Sequence, residues 1–458
     1  MSDLQRWSDL ALSPLKAAGE ALVALPASFA RERRRIAITG LQRSGKTVFI
    51  TAFAHALVTS KAMPFFPWIR KVRNVTLHDV PGFTRFDYEG HLAGLLADPP
   101  SWPAQTRELS ALRIRIQHDP ETFLGKRLSS IATTDVDLVD YPGEWLIDLP
   151  LLTQSFAAWS RQAEDLASAP CRADLAAAWR NDASLVDLDA PEDARLLGKV
   201  GRHYVDYLHA CRQQRALSLL QPGRFLQPMP DMEAALFFPV ARLDRPKRGS
   251  NGAALVRRYD AYRQLVRQFY AGVFGRLRRQ VVLVDVLTAL QQGRDSFSDL
   301  ALAVRSIAES FDAQAPVYAK YLPFMGIDRL ALVATKADHV PAAQVLNLAG
   351  LLQDMTGALL IGGNAGTTGF QAIASIRATR EVYGAVDGLK LPFLVGTPEG
   401  DTEEKQVYVG TIPGALPGPE DWAGFDFRIR RFEPPRGLAK GPLPHLNMDK
   451  LLQFLLAP

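Results

Sequence analysis

The stretch GLQRSGKT, residues 40–47, is the part of the sequence from which the fold can be argued. It matches the pattern Gly-x-x-x-x-Gly-Lys-Thr, which has the spacing of a phosphate-binding loop. The residues RIAIT (35–39) precede it and predict a short buried strand, and KTVFITAFAHALV (46–58) follows and predicts a helix that is apolar on nearly every side. A P-loop needs this strand and helix on either side, whereas an ordinary glycine turn does not.

Each residue type in this stretch has a physical task. Gly40 and Gly45 let the backbone curl so that successive N–H groups point at phosphate oxygens, and the helix adds its positive end. Lys46 can reach the β- and γ-phosphates as a point charge, and the hydroxyl of Thr47 can ligate Mg²⁺. We therefore expect contacts to nucleotide phosphates from Gly40, Arg43, Ser44, Gly45, Lys46, Thr47 and Val48.

A second motif, DYPG at residues 140–143, ends the next predicted strand. A P-loop protein needs a carboxylate at such a position to hold Mg²⁺, usually through a water, and Asp140 can supply it. Gly143 can let a backbone N–H approach the γ-phosphate. The competing interpretation is an ordinary turn, because aspartate followed by Pro-Gly is common in turns.

A third motif, TKAD at residues 335–338, follows the apolar strand LALVA (330–334). The carboxylate of Asp338 can accept hydrogen bonds from both N1–H and the exocyclic amino group of guanine, a pairing that adenine cannot offer. The stem of Lys336 can lie over the face of the base. Alternatively, Asp338 caps the helix that begins after it, and the two roles are compatible. His339 is interpreted as a capping or surface residue.

The composition is that of a globular protein with a sizeable core. Of 458 residues, 47% are hydrophobic and 22% charged, and the net charge of +5 is small for this length, so no nucleic acid partner is expected. Two cysteines, Cys171 and Cys211, form neither a disulfide framework nor a metal-ligand spacing, which favours a cytoplasmic setting. The segment WSDLALSPLKAAGEALVAL (7–25) could form an amphipathic helix with a basic tail. Such a helix either packs on its own domain or makes a peripheral contact with a membrane or a membrane protein.

Strands and helices alternate along most of the chain, which predicts an α/β fold with a mostly parallel sheet covered by helices on both faces. LRIRIQ (112–117) alternates strictly and predicts a one-sided strand at a sheet edge. VVLVDVLTAL (281–290) predicts a central parallel strand. The stretch from residue 63 to 103 is rich in proline and aromatic residues and predicts an irregular connection.

The helical pattern between residues 151 and 279 lies between two predicted sheet strands, so it is expected to be an all-α insertion in the fold. The predicted organisation is an N-terminal helical segment at 1–34, a P-loop core at 35–150 and 280–391, the insertion at 151–279, and a C-terminal strand pair with a helix packed on the core at 392–458.

The order GLQRSGKT, DYPG, TKAD resembles that of P-loop GTPases, in which the same elements contact phosphates, metal and guanine. Longer strings, among them RIAITGLQRSGKTVFITAFAHAL, DLVDYPGEWLIDLPLL, LLQPGRFL and LVATKADHV, resemble the bacterial YcjX-like family of predicted GTPases over nearly the whole chain. The resemblance implies a Ras-like core with a helical insertion, GDP or GTP as ligand with Mg²⁺, and an association with stress responses.

Three positions depart from the general GTPase pattern. Thr335 stands in place of the usual asparagine, which braces the base-binding loop against the phosphate loop. Glu144 follows DYPG where a glutamine often positions the attacking water, and a carboxylate there would be repelled by the γ-phosphate unless a cation offsets it. If Glu144 pairs elsewhere, slow hydrolysis is expected. Arg43 could act as an arginine contact supplied in cis or could simply be exposed. The candidate catalytic residues are Lys46, Glu144, Arg43 and Gly143.

Two further assignments follow from the order of the motifs. A switch threonine that contacts the metal is expected between the P-loop helix and DYPG, and Thr106 is the candidate. The loop that covers guanine should follow FQAIASIRAT (370–379), so Ser375, Arg377 and Ala378 are candidate base contacts.

Three functions fit these motifs. The first is a regulatory GTPase that hydrolyses GTP slowly and changes conformation with the bound nucleotide, acting on an unknown protein effector. The second is a P-loop kinase that phosphorylates a small molecule and uses the helical insertion as a lid. The third is a nucleotide-gated scaffold with little turnover. TKAD favours a guanine-nucleotide protein, because a kinase has no need of it.

Overall fold

The computed structural model describes residues 31–41, 43–104, 109–120, 130–227, 232–243, 245–274, 277–311, 327–357, 359, 367–386, 388–424, 427–439 and 441–457. Most of the predicted N-terminal segment and the candidate Thr106 lie outside these residues. The chain divides into a sheet unit (Leu25–Gly143, Arg276–Phe297 and Gly326–Pro458) and a helical unit (Met1–Ala24, Glu144–Gly275 and Ser298–Met325). The predicted boundaries at residues 150 and 279 stay predictions.

The strands all belong to the sheet unit. They are β1 (Arg31–Gly40), β2 (Val72–His78), β3 (Thr84–Arg85), β4 (Ser110–His118), β5 (Ala132–Asp140), β6 (Arg279–Val284), β7 (Arg329–Ala334), β8 (Thr367–Ala372), β9 (Arg380–Val386), β10 (Leu389–Gly396) and β11 (Lys405–Val407). The main sheet has the order β2-β4-β5-β1-β6-β7-β8, and β3 pairs with β4. The pairs β1–β5, β1–β6, β6–β7, β7–β8 and β3–β4 are parallel, and β2–β4 and β4–β5 are antiparallel. The predicted mostly parallel α/β sheet, with β6 as an interior strand between β1 and β7, is confirmed.

Helices alternate with these strands and make up most of the helical unit. They are α1 (Lys46–Thr59), α2 (Tyr88–Leu96), α3 (Glu144–Ile147), α4 (Phe156–Ala167), α5 (Pro170–Ser184), α6 (Ala194–Gln214), α7 (Asn251–Phe274), α8 (Val286–Gln292), α9 (Arg294–Phe311), α10 (Val345–Thr356) and α11 (Met448–Leu456). Among the described residues, none of these helices has the length and apolar character that crossing a membrane requires.

One face of the main sheet is apolar because alternate residues of β1, β4 and β5 are aliphatic. The side chains of α1 and α11 share this core, so the helix that follows GLQRSGKT is buried along its length. The central members are Ile36, Ile38, Leu112, Ile114, Ile116, Val136, Leu138, Phe49, Phe53, Leu451 and Leu455. Burying each such side chain contributes about 1.5–3 kcal/mol, and the shared core holds the start of α1 beside the ends of β1 and β5.

The opposite face of β4 is charged, and its environment differs from the prediction. Arg113 forms a bidentate pair with Asp137 (2.6 and 3.0 Å), and Arg115 forms one with Asp135 (2.8 and 3.1 Å). The prediction that LRIRIQ lies at a sheet edge is wrong, because β2 pairs with β4 on its outer side. The alternation of apolar and charged residues in β4 reflects these ion pairs with β5. A strand at a solvent-exposed edge would show the same alternation, so the sequence alone does not distinguish the two.

Two other predictions need correction. The segment 63–103 is not only an irregular connection, since it contains β2, β3 and α2. In β2, Val75 and Leu77 are half-buried and pack against the core, but the register shifts between Val72 and Asn74, so the alternation is too short to reveal the strand. Residues 31–34 do not belong to a helical segment, because β1 begins at Arg31. The basic run is tolerated in the strand because Arg34 is buried and donates to the carbonyl of Leu456, while Glu32 accepts from its guanidinium.

The helical unit has its own core, which is rich in aromatic residues. Trp159 stacks on Tyr259 with ring centres 5.4 Å apart and meets Phe237 edge-on at 5.1 Å. Trp179 meets Tyr204 edge-on at 5.2 Å. These rings pack in the offset and perpendicular geometries that their quadrupoles favour, and they account for the aromatic residues of this region without a base-stacking role.

Candidate nucleotide-binding site

The backbone between β1 and α1 turns back on itself, as a phosphate-binding loop requires. The Leu41 N–H donates to the carbonyl of Leu283 in β6 (3.0 Å), and the Ser44 N–H donates to the carbonyl of Leu41 (3.2 Å). Arg43 and Gly45 have positive φ angles of 59° and 74°. Such left-handed angles are free of strain at glycine and cost about 1–2 kcal/mol at other residues. The loop is therefore curled, and Arg43 holds a conformation that arginine does not favour.

The two motif glycines each meet a steric requirement. A Cβ on Gly40 would lie 2.0 Å from the Oγ of Ser44, so a larger residue here would require the Ser44 side chain to move. Gly45 precedes α1 and has no side chain that could cap this helix. The first hydrogen bond of the helix runs from the Phe49 N–H to the carbonyl of Gly45 (2.9 Å). The first turn of α1 thus begins at the end of this loop, and a helix N-terminus in this place is suited to binding an anion.

The first residue of α1, Lys46, lies against the end of β5. Its Nζ is 2.5 Å from Oδ1 of Asp140 and donates to the carbonyl of Tyr141 (2.9 Å). Burial raises the pKa of the Asp140 carboxyl above its usual range, and the nearby Lys46 ammonium offsets only part of this effect. Oδ2 of Asp140 has no hydrogen-bond partner among the described residues. A buried carboxylate oxygen without a partner is costly.

The donor set around Asp140 fits Mg²⁺, which prefers hard oxygen ligands. Asp140 offers a buried carboxylate with an unpaired oxygen, and Thr47 lies buried in the first turn of α1. The described part of the chain holds no group of three or more His, Cys, Asp or Glu residues that could bind a metal. Mg²⁺ sites of nucleotide enzymes commonly use one or two protein oxygens, with waters and phosphates completing the shell.

Gly143 packs directly on the start of the phosphate loop. A Cβ at this position would lie 2.0 Å from the carbonyl oxygen of Gly40 and 2.7 Å from its carbonyl carbon. The obstacle is backbone, which cannot rotate away as a side chain can. The DYPG motif is therefore more than a turn, because its last residue must be glycine for β5 and the phosphate loop to meet.

Replacing Gly143 with alanine is expected to destabilise the sheet unit by about 1–3 kcal/mol, the usual cost of overpacking, and to weaken GDP binding by displacing the loop. Thermal unfolding and GDP titration measure the two effects. Gly350→Ala in α10 is the matched control, since its Cβ would meet Gly414 O at an ordinary 3.5 Å. Equal behaviour of the two variants would contradict the close approach described above.

The second loop of the site is held by a lysine and an aspartate at the ends of neighbouring parallel strands. Lys336, with φ of 60°, places its Nζ 2.5 Å from Oδ2 of Asp285. Asp285 follows β6 and caps α8, accepting from the N–H (3.0 Å) and hydroxyl (2.6 Å) of Thr288. Burial raises the pKa of Asp285, but the Lys336 ammonium and the Thr288 hydrogen bonds outweigh it and hold this pKa below its usual value.

Asp338 joins TKAD to the loop that follows β8. Its Oδ2 accepts from the Ala378 N–H (2.7 Å), and its carbonyl accepts from the Thr379 hydroxyl. Asp338 is buried, Ser375 and Ala378 are half-buried, and Arg377 is exposed. The structure thus brings Ala378 to Asp338, whereas the roles of Ser375 and Arg377 as base contacts stay predictions.

The alternative interpretation, in which Asp338 caps the helix that follows it, is wrong. The N–H of Ala342, which begins the next helical turn, donates to Oε2 of Glu381 instead (2.6 Å). The interpretation of His339 as a capping or surface residue is also wrong, since it is buried and its ring meets that of Phe432 edge-on at 5.0 Å. Thr335 keeps its hydroxyl 3.4 Å from the carbonyl of Val284, so it braces the loop against β6.

A family model described as the YcjX-like family, DUF463, matches residues 34–457. The chain belongs to the YcjX-like family. Two proteins named Ras-like GTPase YcjX are similar to it: one from Escherichia coli (strain K12), 35% identical over 92% of this chain and 95% of its own length, and one from Shewanella oneidensis (strain MR-1), 32% identical over 92% and 93%. The similarity spans all three motifs and the helical region between them.

In this YcjX-like chain the helical unit begins directly after the DYPG motif. Gly143 is the last residue of that part of the sheet unit, and Glu144 is the first of the helical unit. Glu144 forms an ion pair with Arg212 of α6 (2.9 Å), and a Cβ on Gly223 would lie 2.2 Å from the carbonyl of Glu144. Its carboxylate is therefore engaged within the helical unit. Arg43 is exposed, and its action as an arginine contact stays a prediction.

Asp148 anchors the segment that follows Glu144. It is fully buried and accepts from the Gly223 N–H (2.7 Å), the Arg224 N–H (3.3 Å) and the Tyr262 hydroxyl. Burial raises its pKa to about 7, although these donors favour the charged form. The segment after DYPGE is thus held by a carboxyl group that titrates near neutral pH.

Stability of the helical unit is expected to fall as pH rises from about 4 to 7. The Asp148 carboxyl titrates near pH 4 in the unfolded chain. In this window the folded protein therefore holds a proton that the unfolded chain has lost, and the difference in folding free energy is about 4 kcal/mol. Asp148→Asn should flatten the pH dependence of the unfolding midpoint, and the exposed Asp189→Asn should not. An unchanged slope in Asp148→Asn would contradict the burial argument.

Sequence reasoning missed Asp285 as part of the site. Its signal was present, since VVLVD ends a central strand with an aspartate immediately beside the strand that leads to TKAD. Carboxyl ends of neighbouring parallel strands meet at one edge of a sheet, which is where open α/β sheets bind ligands. Phe432 gave no such signal, because its contact with His339 joins positions far apart in the chain.

Proposed function

We propose that this YcjX-like chain binds GDP and GTP with Mg²⁺ and hydrolyses GTP slowly, changing conformation with the nucleotide. The observation that carries the proposal is the placement of Asp338, a buried carboxylate held by the Ala378 N–H at the end of the strand next to β6. Such a carboxylate pairs with N1–H and the amino group of guanine. The two relatives named Ras-like GTPases support the same assignment.

The residues divide into three tasks in this proposal. The curled loop from Gly40 to Gly45 and the N–H groups at the start of α1 bind phosphate oxygens, with Lys46 supplying charge. Thr47 and Asp140 would hold Mg²⁺, which would supply positive charge beside the phosphates. Thr335, Lys336 and Asp338 bind the base, and Ala378 supports Asp338.

Slow turnover follows from the position after DYPG. A glutamine there orients water with a neutral amide, whereas Glu144 is charged and paired with Arg212. The ion pair between Glu144 and Arg212 also ties the residue after DYPG to the helical unit, which supports a conformational change of that unit with the bound nucleotide. Because Gly143 lies on the phosphate loop and Glu144 is covalently next to it, a shift of Gly143 towards a γ-phosphate would pull on the first residue of the helical unit.

Phosphate release from GTP and from ATP under single-turnover conditions tests this function. GTP should be hydrolysed slowly and ATP not at all, and protection from hydrogen exchange in residues 144–152 should differ between GDP and a non-hydrolysable GTP analogue. Stable GDP binding without hydrolysis would instead indicate a nucleotide-gated scaffold. Transfer of phosphate from ATP to an added metabolite would indicate a kinase.

A further inference from the structure

A serine hydroxyl lies buried and unpaired directly beside the carboxylate of the metal site. Ser110 begins β4, and the antiparallel register places it opposite Asp140, the last residue of β5. The two residues are 3% and 1% exposed. Within the described part of the chain, neither Ser110 Oγ nor Asp140 Oδ2 has a hydrogen-bond partner, and the two side chains do not bond each other.

The sheet geometry aims both groups at the same place. Directly opposite residues of an antiparallel pair project to one face, with Cβ atoms about 4.5–5.5 Å apart. Leu112 and Leu138, two residues along the same strands, belong to the core shared with α1. Ser110 and Asp140 therefore face the side of the sheet on which α1 begins, and Lys46 of α1 already contacts Asp140 on that side.

Two neighbouring polar groups that are buried and unpaired point to a missing third group. A buried hydroxyl without a partner is unfavourable, and a carboxylate oxygen more so. A direct serine–aspartate hydrogen bond would satisfy both, yet the structure does not form it. A water molecule between them would donate one hydrogen to the carboxylate and the other to the serine oxygen.

We propose that Ser110 is a positioning residue of the Mg²⁺ site, whose hydroxyl orients, together with Asp140, a water of the ion's hydration shell. The inference rests on the proposed function, because it assumes that Mg²⁺ accompanies the nucleotide at Asp140. Ser110 acts through the water and touches neither nucleotide nor substrate. Outer-shell partners of this kind orient the groups that bind the metal, and removing one lowers metal affinity about 10- to 100-fold.

The test is the Mg²⁺ requirement of the GDP-bound protein. Thermal unfolding midpoints and GDP release rates of the full chain are measured against buffered free Mg²⁺, which gives a half-saturating concentration without reference to catalysis. Ser110→Ala should raise that concentration about tenfold. Ser110→Cys, which is close in size but bonds weakly through sulfur, should raise it as well, and Ser110→Thr should restore it. If one of Ser110→Ala and Ser110→Cys does not fold, the Mg²⁺ requirement of the other is enough for the test.

A matched control distinguishes a metal role from ordinary burial. Ser160 of α4 is 1% exposed and its Oγ also lacks a partner among the described residues. Removing such a hydroxyl is neutral or stabilising when it has only a structural role, so Ser160→Ala should leave the Mg²⁺ requirement unchanged. Ser110→Ala behaving like Ser160→Ala would overturn the proposal.

Asp140→Asn separates failure of this inference from failure of the function. If Asp140→Asn raises the Mg²⁺ requirement and Ser110→Ala does not, the role of Ser110 is wrong and the nucleotide site stands. If GDP binding by the unmodified chain shows no dependence on Mg²⁺, the metal assignment fails and the role of Ser110 fails with it.

Discussion

Lys46→Ala should lower the affinity for GDP and GTP by at least about a hundredfold. Two effects act in the same direction. The variant loses the cation that meets the β- and γ-phosphates, and it leaves the buried Asp140 carboxylate without the ammonium that lies 2.5 Å away. A hundredfold loss corresponds to about 2.8 kcal/mol of binding free energy. Removing one partner of a buried ion pair costs about 3–5 kcal/mol of folding free energy, which lowers the stability of the variant.

The variant is also expected to be less stable at neutral pH and to regain stability on acidification. Burial already raises the pKa of Asp140, and loss of the Lys46 ammonium raises this pKa further. The folded state therefore keeps the Asp140 proton over a wider pH range than the unfolded chain does. Its stability falls as the pH rises through that range. Calorimetric titration and unfolding between pH 5 and 8 measure both effects. Lys61→Ala, an exposed lysine of the same unit, is the control. Unchanged GDP affinity in Lys46→Ala would contradict the phosphate-loop assignment.

Asp338→Ala should abolish the preference for guanine. The variant lacks the acceptor for N1–H and the amino group of the base, and sites built on such buried polar pairing discriminate by about 10⁴–10⁵. GDP affinity should therefore fall to that of ADP, while ADP affinity changes little. A titration series with GDP, IDP and ADP measures the change. Retained guanine preference would show that another group reads the base.

Asp338→Asn provides a sharper form of the same test. Its oxygen can still accept from N1–H, whereas its amide N–H₂ meets the guanine amino group donor to donor. Xanthine carries an oxygen where guanine carries that amino group, so the variant should prefer XDP to GDP. The exposed Asp354→Asn in α10 is the control and should keep the preference for GDP. Because Ala378 donates to Asp338, the stability of each variant is measured alongside.

The parts of the fold that sequence predicts are those specified by neighbouring residues. The phosphate loop is readable because its strand, glycines and helix are contiguous, and β6 and β7 are readable because both of their faces are buried. The final helix, α11, is readable from its apolar run. In each case the side chains that determine the structure lie within one element.

The parts that sequence did not predict depend on residues far apart in the chain. The Arg113–Asp137 pair makes an interior strand resemble an edge strand. The periodicity of β2 is interrupted by a register shift between Val72 and Asn74 in its pairing with β4. Glu144 and Arg212 are far apart in the sequence and form an ion pair only because the helical unit brings them together. The register between Ser110 and Asp140 is likewise a property of strand pairing, which no local pattern records.

The central claim is that residues 40–47 bind the phosphates of a guanine nucleotide. Calorimetric titration of the purified chain with GDP and with ADP, each with Mg²⁺, tests it most directly. The account predicts saturable binding of one GDP per chain, at least about a hundredfold tighter than ADP. Absence of saturable GDP and GTP binding, or tighter binding of ADP than of GDP, would contradict it.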